Sequence, residues 1–202
     1  MMLVPANEVL PRIQELKDRT ILVVGDVVLD RYIVGRATRL SREAPIPVLV
    51  HEESFSLPGS AANPARNIQA LRSRAIQVTA IGNDAAGVEL VSLLAQAGVE
   101  TSSIIRLESR RTTVKERILA RGSLRYPQQL VRVDWADQTP IPERQQHRLA
   151  AEIERRAPEV DAILVSDYGG GTITGPALEA CLAAQRSRGI PVCVDAQSAL
   201  WR

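Results

Sequence analysis

The sequence predicts an α/β fold with a mostly parallel sheet covered by helices on both faces. Three observations predict it. Ile21-Leu22-Val23-Val24 and Ala162-Ile163-Leu164-Val165 are apolar runs without polar alternation, the signature of strands buried on both faces. Each run leads into acids, at Asp26 and Asp30 in the first case and at Asp167 in the second. Amphipathic helical stretches alternate with such strands, which calls for right-handed crossovers around a parallel sheet.

Composition sets the bounds. A chain of 202 residues with 45% hydrophobic and 24% charged residues can bury a full core. Aromatics make up only 3%, so that core is aliphatic. A net charge of +2 is too small to argue for nucleic-acid or membrane partners. Lysine occurs only at Lys17 and Lys115 in an otherwise arginine-based cation set, which singles out Lys115. No apolar run approaches the length of a membrane span, and the N-terminus has acids and prolines where a secretory signal would be apolar. The expected location is the cytoplasm. Cys181 falls on a helix and Cys193 on what reads as a buried strand, so both are expected as reduced thiols.

The elements follow in order. Residues 6–19 place Val9, Leu10, Ile13 and Leu16 on one helical face, and the first strand occupies 21–25. Residues 31–35 are extended, 36–43 form a polar turn, and 46–50 continue the extended run. Pro45 and Pro47 exclude a central strand, leaving a sheet edge or a small separate sheet. Residues 57–63 open a helix to about Ser73, with Ser60 as N-cap and Pro64 in the first turn. A strand at 77–81 precedes a helix at 85–97 that closes on Gly98. Short strands follow at 103–107, 112–119 and 129–133. A helix over 142–156, a strand over 161–167, a helix over 176–188 and a strand over 191–195 complete the pattern.

Candidate site residues come from strand ends. Asp26/Asp30, Asp167 and Asp195 each close a strand, and in open α/β sheets ligands bind beyond the carboxyl ends of strands. Carboxylates there suit a polyhydroxyl ligand, although acids also cap turns. The small residues Gly59 to Asn63 allow close approach to a helix start, and Asn63 offers both a donor and an acceptor. Close helix–strand packing would select the same small residues. Lys115 and Arg117 alternate on one strand face, as do Arg132 and Asp134 on the next. Either a phosphate clamp or a solvated charged face explains that spacing.

Together these stretches resemble the ribokinase-like (PfkB) carbohydrate kinases, and within them the heptose-phosphate kinase branch. The resemblance rests on Gly25-Asp26-Val27-Val28-Leu29-Asp30, on Ser41 to Val48, and on Gly59-Ser60-Ala61-Ala62-Asn63. It continues through Thr112 to Arg117, Gln128 to Asp134, and Ser166-Asp167-Tyr168. It implies a ribokinase-like three-layer sandwich with a small β-lid formed by residues 31–52 and 111–134. The lid would cover the sugar and pair with a second subunit as a homodimer. Asp30 would accept sugar hydroxyls, Gly59, Ser60 and Asn63 would line the sugar pocket, and Asp167 would stand beside it. Lys115, Arg117 and Arg132 become candidates for the substrate's phosphate, and Asp195 for the nucleotide side.

The chain departs from the family pattern at three places. Ser60 replaces a second glycine, Gly170 a lysine, and Asp195-Ala196-Gln197 an Asp-Pro-Lys run. The family's magnesium motif and its Gly-Ala-Gly-Asp base motif do not occur before Arg202. No catalytic base is therefore assigned within the chain, and the resemblance implies one downstream of Arg202. Residues 1–202 are expected to form the N-terminal two-thirds of one kinase domain, incomplete at the C-terminus and inactive alone. The intact enzyme would use ATP and Mg2+ to phosphorylate a heptose phosphate. The alternative is a catalytically inactive sugar-binding or regulatory protein of the same fold. A nicotinamide-binding fold is disfavoured, because no Gly-x-Gly-x-x-Gly follows any strand.

Overall fold

The computed structural model describes residues 11, 15–122, 126–137 and 139–196. Most of the helix expected over 6–19 lies outside these residues. So does the segment from Gln197 to Arg202, and with it the expectation of a catalytic base downstream of Arg202. The described chain forms two sheets, one of five strands in the order β5-β4-β1-β8-β9 and one of four in the order β3-β2-β6-β7.

Strand β1 (Thr20–Gly25) is the centre of the larger sheet. It pairs in parallel with β4 (Arg74–Gly82) and β8 (Ala162–Asp167), Val23 standing opposite both Gln77 and Leu164. The side chains of Leu22, Val23 and Val24 are fully excluded from solvent, as an apolar run between two layers requires. On one face Leu22, Val24, Ile76 and Ile163 pack with Leu149 and Ile153 of α3 (Glu143–Arg156). Ala180 and Ala184 of α4 (Gly175–Arg188) belong to the same cluster. On the other face Val23 and Ala75 meet Ala62 and Ala65 of α1 (Ala62–Ala70). Leu90 and Leu94 of α2 (Ala85–Gln96) complete that layer. This is the three-layer sandwich that the sequence predicts. Truncating Leu22 to alanine would cost about 2–5 kcal/mol, the usual range for a packed core position.

Short strands close the larger sheet. Strand β5 (Ile104–Leu107) adds in parallel to β4, and β9 (Val192–Ala196) adds in parallel to β8. Cys193 is exposed on β9, which corrects the buried strand expected there. The reason is position: β9 is the outermost strand, and among the described residues nothing pairs with its outer edge. Cys181 is buried, and the loss of hydration raises its thiol to about 12.

The second sheet departs further from expectation. After Asp26 the chain enters β2 (Val27–Leu40), which runs antiparallel to β3 (Pro47–Ser60) from Val27↔Ser60 to Leu40↔Pro47. The polar turn expected over 36–43 is therefore strand as far as Leu40, and the helix expected from Leu57 begins only at Ala62. Long-range pairing overrides the local polar signal here. Pro47 and Pro58 are accommodated because β3 is an edge strand, as the prolines required. Strand β6 (Val114–Arg121) lies parallel to β2, and β7 (Gln128–Trp135) lies antiparallel to β6. The lid sheet thus spans 27–60, wider than the expected 31–52, and 114–135, which starts three residues later and ends one residue later than the expected 111–134. Arg31 ties it to the body through Glu89 of α2 at 2.7 Å.

Ser60 is not the helix N-cap. It closes β3 with φ +53°, and α1 is capped by Ala61 with no side-chain bond. The Ala61 N–H donates instead to the Asp26 carbonyl at 2.8 Å, which fixes where the helix begins.

Candidate functional site

A cleft of about 670 Å³ opens where the carboxyl ends of β1, β4 and β8 meet the lid. Its lining includes Asp26, Val28, Ser60, Arg110, Arg111, Thr113, Lys115, Asp137 and the loop from Tyr168 to Thr174. This is where an open α/β sheet holds its ligands.

Asp26 forms the floor. Its Oδ2 accepts the N–H groups of Tyr168 (3.0 Å) and Gly170 (2.8 Å), and its Oδ1 accepts that of Thr172 (2.9 Å). A carboxylate so engaged, and only 5% exposed, holds a loop in place and is not offered to a sugar. A Cβ on Gly170 would lie 2.7 Å from the Asp26 Cγ, so glycine at this position follows from the clamp. Arg110 braces the loop from the other side, its Nη2 donating to the carbonyls of Gly170 and Asp137.

Asp30 lies on β2, four residues along, and meets Arg117 of β6 at 2.6 Å. Burial alone would weaken the Arg117 charge. The Asp30 hydrogen bond and charge, with Tyr32 and Asp134, more than offset it, and the guanidinium binds its proton more tightly than usual. Arg117 also rests 5.3 Å above the Tyr32 ring, which stacks on Phe55 at 4.8 Å. Gly59, opposite Val28 in the ladder, leaves the space that the Asp30 carboxylate fills; a Cβ there would overlap it. Asp30, Gly59 and Arg117 are thus brought together beside the cleft and outside its lining, whereas Ser60 and Lys115 line it.

The other candidates separate from this group. Asn63 is exposed on α1 and outside the cleft lining. Arg132 is held by Asp134 on its own strand through two bonds of 2.8 and 2.9 Å. Asp167 is buried and accepts the Gly169 N–H at 2.9 Å, closing the turn after β8. Asp195 is exposed on the outer strand β9. Of the strand-end acids only Asp26 lines the cleft. Asp26 and Asp167 bind backbone, the commoner use of an acid beside a tight turn.

Sequence reading missed Arg110, Arg111, Asp137 and the loop from Gly169 to Thr174. The Gly169-Gly170-Gly171 run, one residue after the strand-end Asp167, was a usable signal for that loop. Asp137 accepts from the Thr139 N–H at 2.9 Å and the Arg111 N–H at 3.1 Å. A hydrogen bond from the Thr139 side chain, followed by these amide bonds and the charge of Arg110, brings its carboxyl down to about 2. Asp84 ties the start of β6 to α2, accepting from the Thr112 N–H at 2.9 Å and the Thr112 hydroxyl at 2.7 Å. Burial opposes its charge, but these bonds and that of Gly87 prevail and hold its carboxyl below the usual value. Among the described residues no group of three or more His, Cys, Asp or Glu could hold a metal ion. No described helix is long and apolar enough to cross a membrane.

Residues 18–194 match the model of the pfkB family of carbohydrate kinases. The bifunctional protein HldE of Hyphomonas neptunium is 38% identical over 188 residues, covering 91% of this chain and 38% of that protein. The HldE of Caulobacter vibrioides is 38% identical over 181 residues, covering 89% of this chain and 36% of that protein. The chain therefore spans little more than a third of the length of these relatives. Among solved structures, a carbohydrate kinase from Agrobacterium tumefaciens superposes with a TM-score of 0.65 at 21% identity, covering 87% of this chain and 53% of that one. Phosphofructokinase-2 from Escherichia coli, in complex with substrates and products, superposes with a TM-score of 0.64 at 21% identity, over 89% and 54% of the two chains. At that identity they establish the ribokinase-like fold alone. Neither the family nor these relatives support the alternative of an inactive sugar-binding protein.

Proposed function

Since this chain belongs to the pfkB family of carbohydrate kinases, we propose that it forms the sugar-binding part of an ATP-dependent kinase for a heptose phosphate. The family implies ATP as the phosphoryl donor. The heptose branch is favoured by the likeness to the HldE proteins across nine-tenths of this chain. The observation that carries the reading is the cleft itself, with Ser60 and Lys115 in its wall and the Asp30–Gly59 contact beside it.

In this reading Asp30 accepts sugar hydroxyls through the lone pairs that Arg117 leaves open. The lid excludes water from the acceptor, which strengthens every polar contact inside. The attacking hydroxyl needs a base, and the phosphates of ATP need Mg2+ and an anion hole. We assign none of those parts to the described residues, so the 202-residue chain is expected to bind the acceptor without turning it over. The working location is the cytoplasm, where ATP is available. The lid pairs with that of a second chain in a homodimer.

Calorimetry with a heptose phosphate, a hexose phosphate and ATP, coupled to an ADP-release assay, tests this reading. Binding of the heptose phosphate in preference to the hexose phosphate is expected, without sugar-dependent ADP release by the chain alone. Failure of a folded chain to bind any sugar phosphate would remove the reading.

A further inference from the structure

One carboxylate of the body grips the lid from behind. Arg31 and Ser56 stand directly opposite each other in the β2–β3 ladder. Glu89 of α2 meets the Arg31 guanidinium at 2.7 Å, and the Ser56 hydroxyl bonds the same carboxylate. A single side chain of the body thus holds both strands of the hairpin at one rung. Burial opposes the Glu89 charge, but the Ser56 and Arg31 bonds outweigh it and hold the carboxyl below its usual value. Among the described residues, no other ion pair joins β2 or β3 to the body.

The grip lies on the back of the sheet that carries the acceptor groups. Successive strand residues point to opposite faces. Arg31 therefore shares one face with Leu29, and Asp30 shares the other with Val28 and Tyr32. Val28 lines the cleft, and Lys115, which lines it too, stands opposite Asp30 in register. On the back face, Leu29 and its ladder partner Val114 are buried in one cluster with Leu90 of α2. Apolar packing thus fixes the root of the lid. Glu89 carries the attachment two residues further along β2, past the level of Asp30.

The side chains of Arg31 and Glu89 remain 38% and 36% exposed. A pair with that much solvent contact adds little to global stability. What it decides is geometry, because it ties a strand pair of the lid to a helix of the body.

Resting on the kinase reading above, we infer that Glu89 and Arg31 are positioning residues for the acceptor site, which fix the angle of the lid and so the place of Asp30. Neither lines the cleft, and neither touches the sugar. Without Glu89 the hairpin is free to pivot about the Leu29–Val114 packing, and Asp30 moves with it.

Calorimetry with a heptose phosphate and amide hydrogen exchange, both on the whole chain, test this. Glu89→Ala and Arg31→Met should each weaken binding by about three- to tenfold. The double variant should bind no worse than the poorer single, because both changes break one contact. Glu89→Gln should keep most of the affinity, since its amide oxygen still accepts from Arg31 and Ser56. In Glu89→Ala the amides around Arg31 and Ser56 should exchange faster, those of β1 should not change, and the urea midpoint should barely move. Unchanged affinity in Glu89→Ala would overturn the inference and leave the kinase reading standing. So would additive losses in the double variant. Faster exchange in β1 and the lid alike would overturn it too, making Glu89 a general stabilising contact. A folded parent chain that binds no sugar phosphate would overturn the kinase reading and this inference with it, and the parent alone shows that outcome.

Discussion

The Asp30 carboxylate is held by Arg117 at 2.6 Å and occupies the space that a side chain at position 59 would take. Both partners are 18% exposed, so the pair is neither solvent-screened nor sealed in the core. It presents one oriented acceptor at the edge of the lid, while Asp26, four positions earlier, points into the loop beneath the cleft.

These two acids should therefore fail in different ways. Asp30→Ala should weaken sugar binding by about tenfold or more, through the loss of charge-assisted bonds to hydroxyls. Its cost in stability should be about 1–2 kcal/mol, because Arg117 loses its partner at a position with little solvent access. Asp26→Ala should lower stability by about 3 kcal/mol, because the Thr172 N–H is buried and would lose its acceptor along with two other amides. Urea unfolding and sugar titration on both variants separate the roles. Similar losses of binding with no loss of stability would contradict the assignment of Asp26.

Ser60 carries a left-handed φ of +53°, and it does not cap α1. Ser60→Ala should then cost well under the roughly 1 kcal/mol that removing a true N-cap serine costs. Ser60→Val should cost about 1–2 kcal/mol, since a β-branched residue fits that backbone region poorly. Ser60→Gly should be neutral or slightly stabilising. Denaturant midpoints for the three variants decide it, and a large loss in Ser60→Ala would restore the capping role.

Asp137 should titrate at about 2 rather than at the ordinary 3.8. Its carboxyl is lowered on folding, so the stability it contributes is present above the unfolded value. That contribution is lost as pH falls through the folded value. The side-chain carboxyl resonance of Asp137, followed by NMR from pH 6 downward, should show its midpoint in that low range. Thr139→Ala should raise that midpoint toward 3.8, because it removes the side-chain bond and keeps only the amide bonds of residues 139 and 111. A midpoint near 3.8 in the parent chain would show that Thr139 and the Arg111 amide do not engage it.

The lid carries apolar side chains that its own strands do not cover, among them Leu40, Val50, Phe55, Val133 and Trp135. A four-stranded sheet with such surface is stabilised by a partner, and a second copy would present the same strands across a two-fold axis. Ile33 and Val48 are half-buried and Val50 is 49% exposed in the single chain. Light scattering should find a dimer at tens of micromolar, and Val48→Asp or Val50→Asp should give a monomer. A monomeric parent chain would remove the dimer.

The sequence by itself determined the three-layer body. Unbroken apolar runs such as Leu22-Val23-Val24 and Ile163-Leu164-Val165 cannot be satisfied except between two layers, and the caps at Asp84, Thr174 and Gly189 are local chemistry. It also determined that the proline-bearing strand would lie at an edge, because proline cannot donate to a ladder. Only the tertiary structure decided the extent of the lid. Residues 36–40 and 57–60 have no local preference for strand, and they become strand by pairing with one another across a long hairpin. The allocation of charges was decided there too. Spacing placed Arg117, Arg132 and Lys115 on one footing, yet register brings Arg117 within reach of Asp30 and leaves Arg132 beside Asp134. Lys115 alone of the three faces the cleft. Which ion pairs form depends on which strands become neighbours, and that is settled by burial of the whole sheet rather than by any residue's own neighbours in the chain.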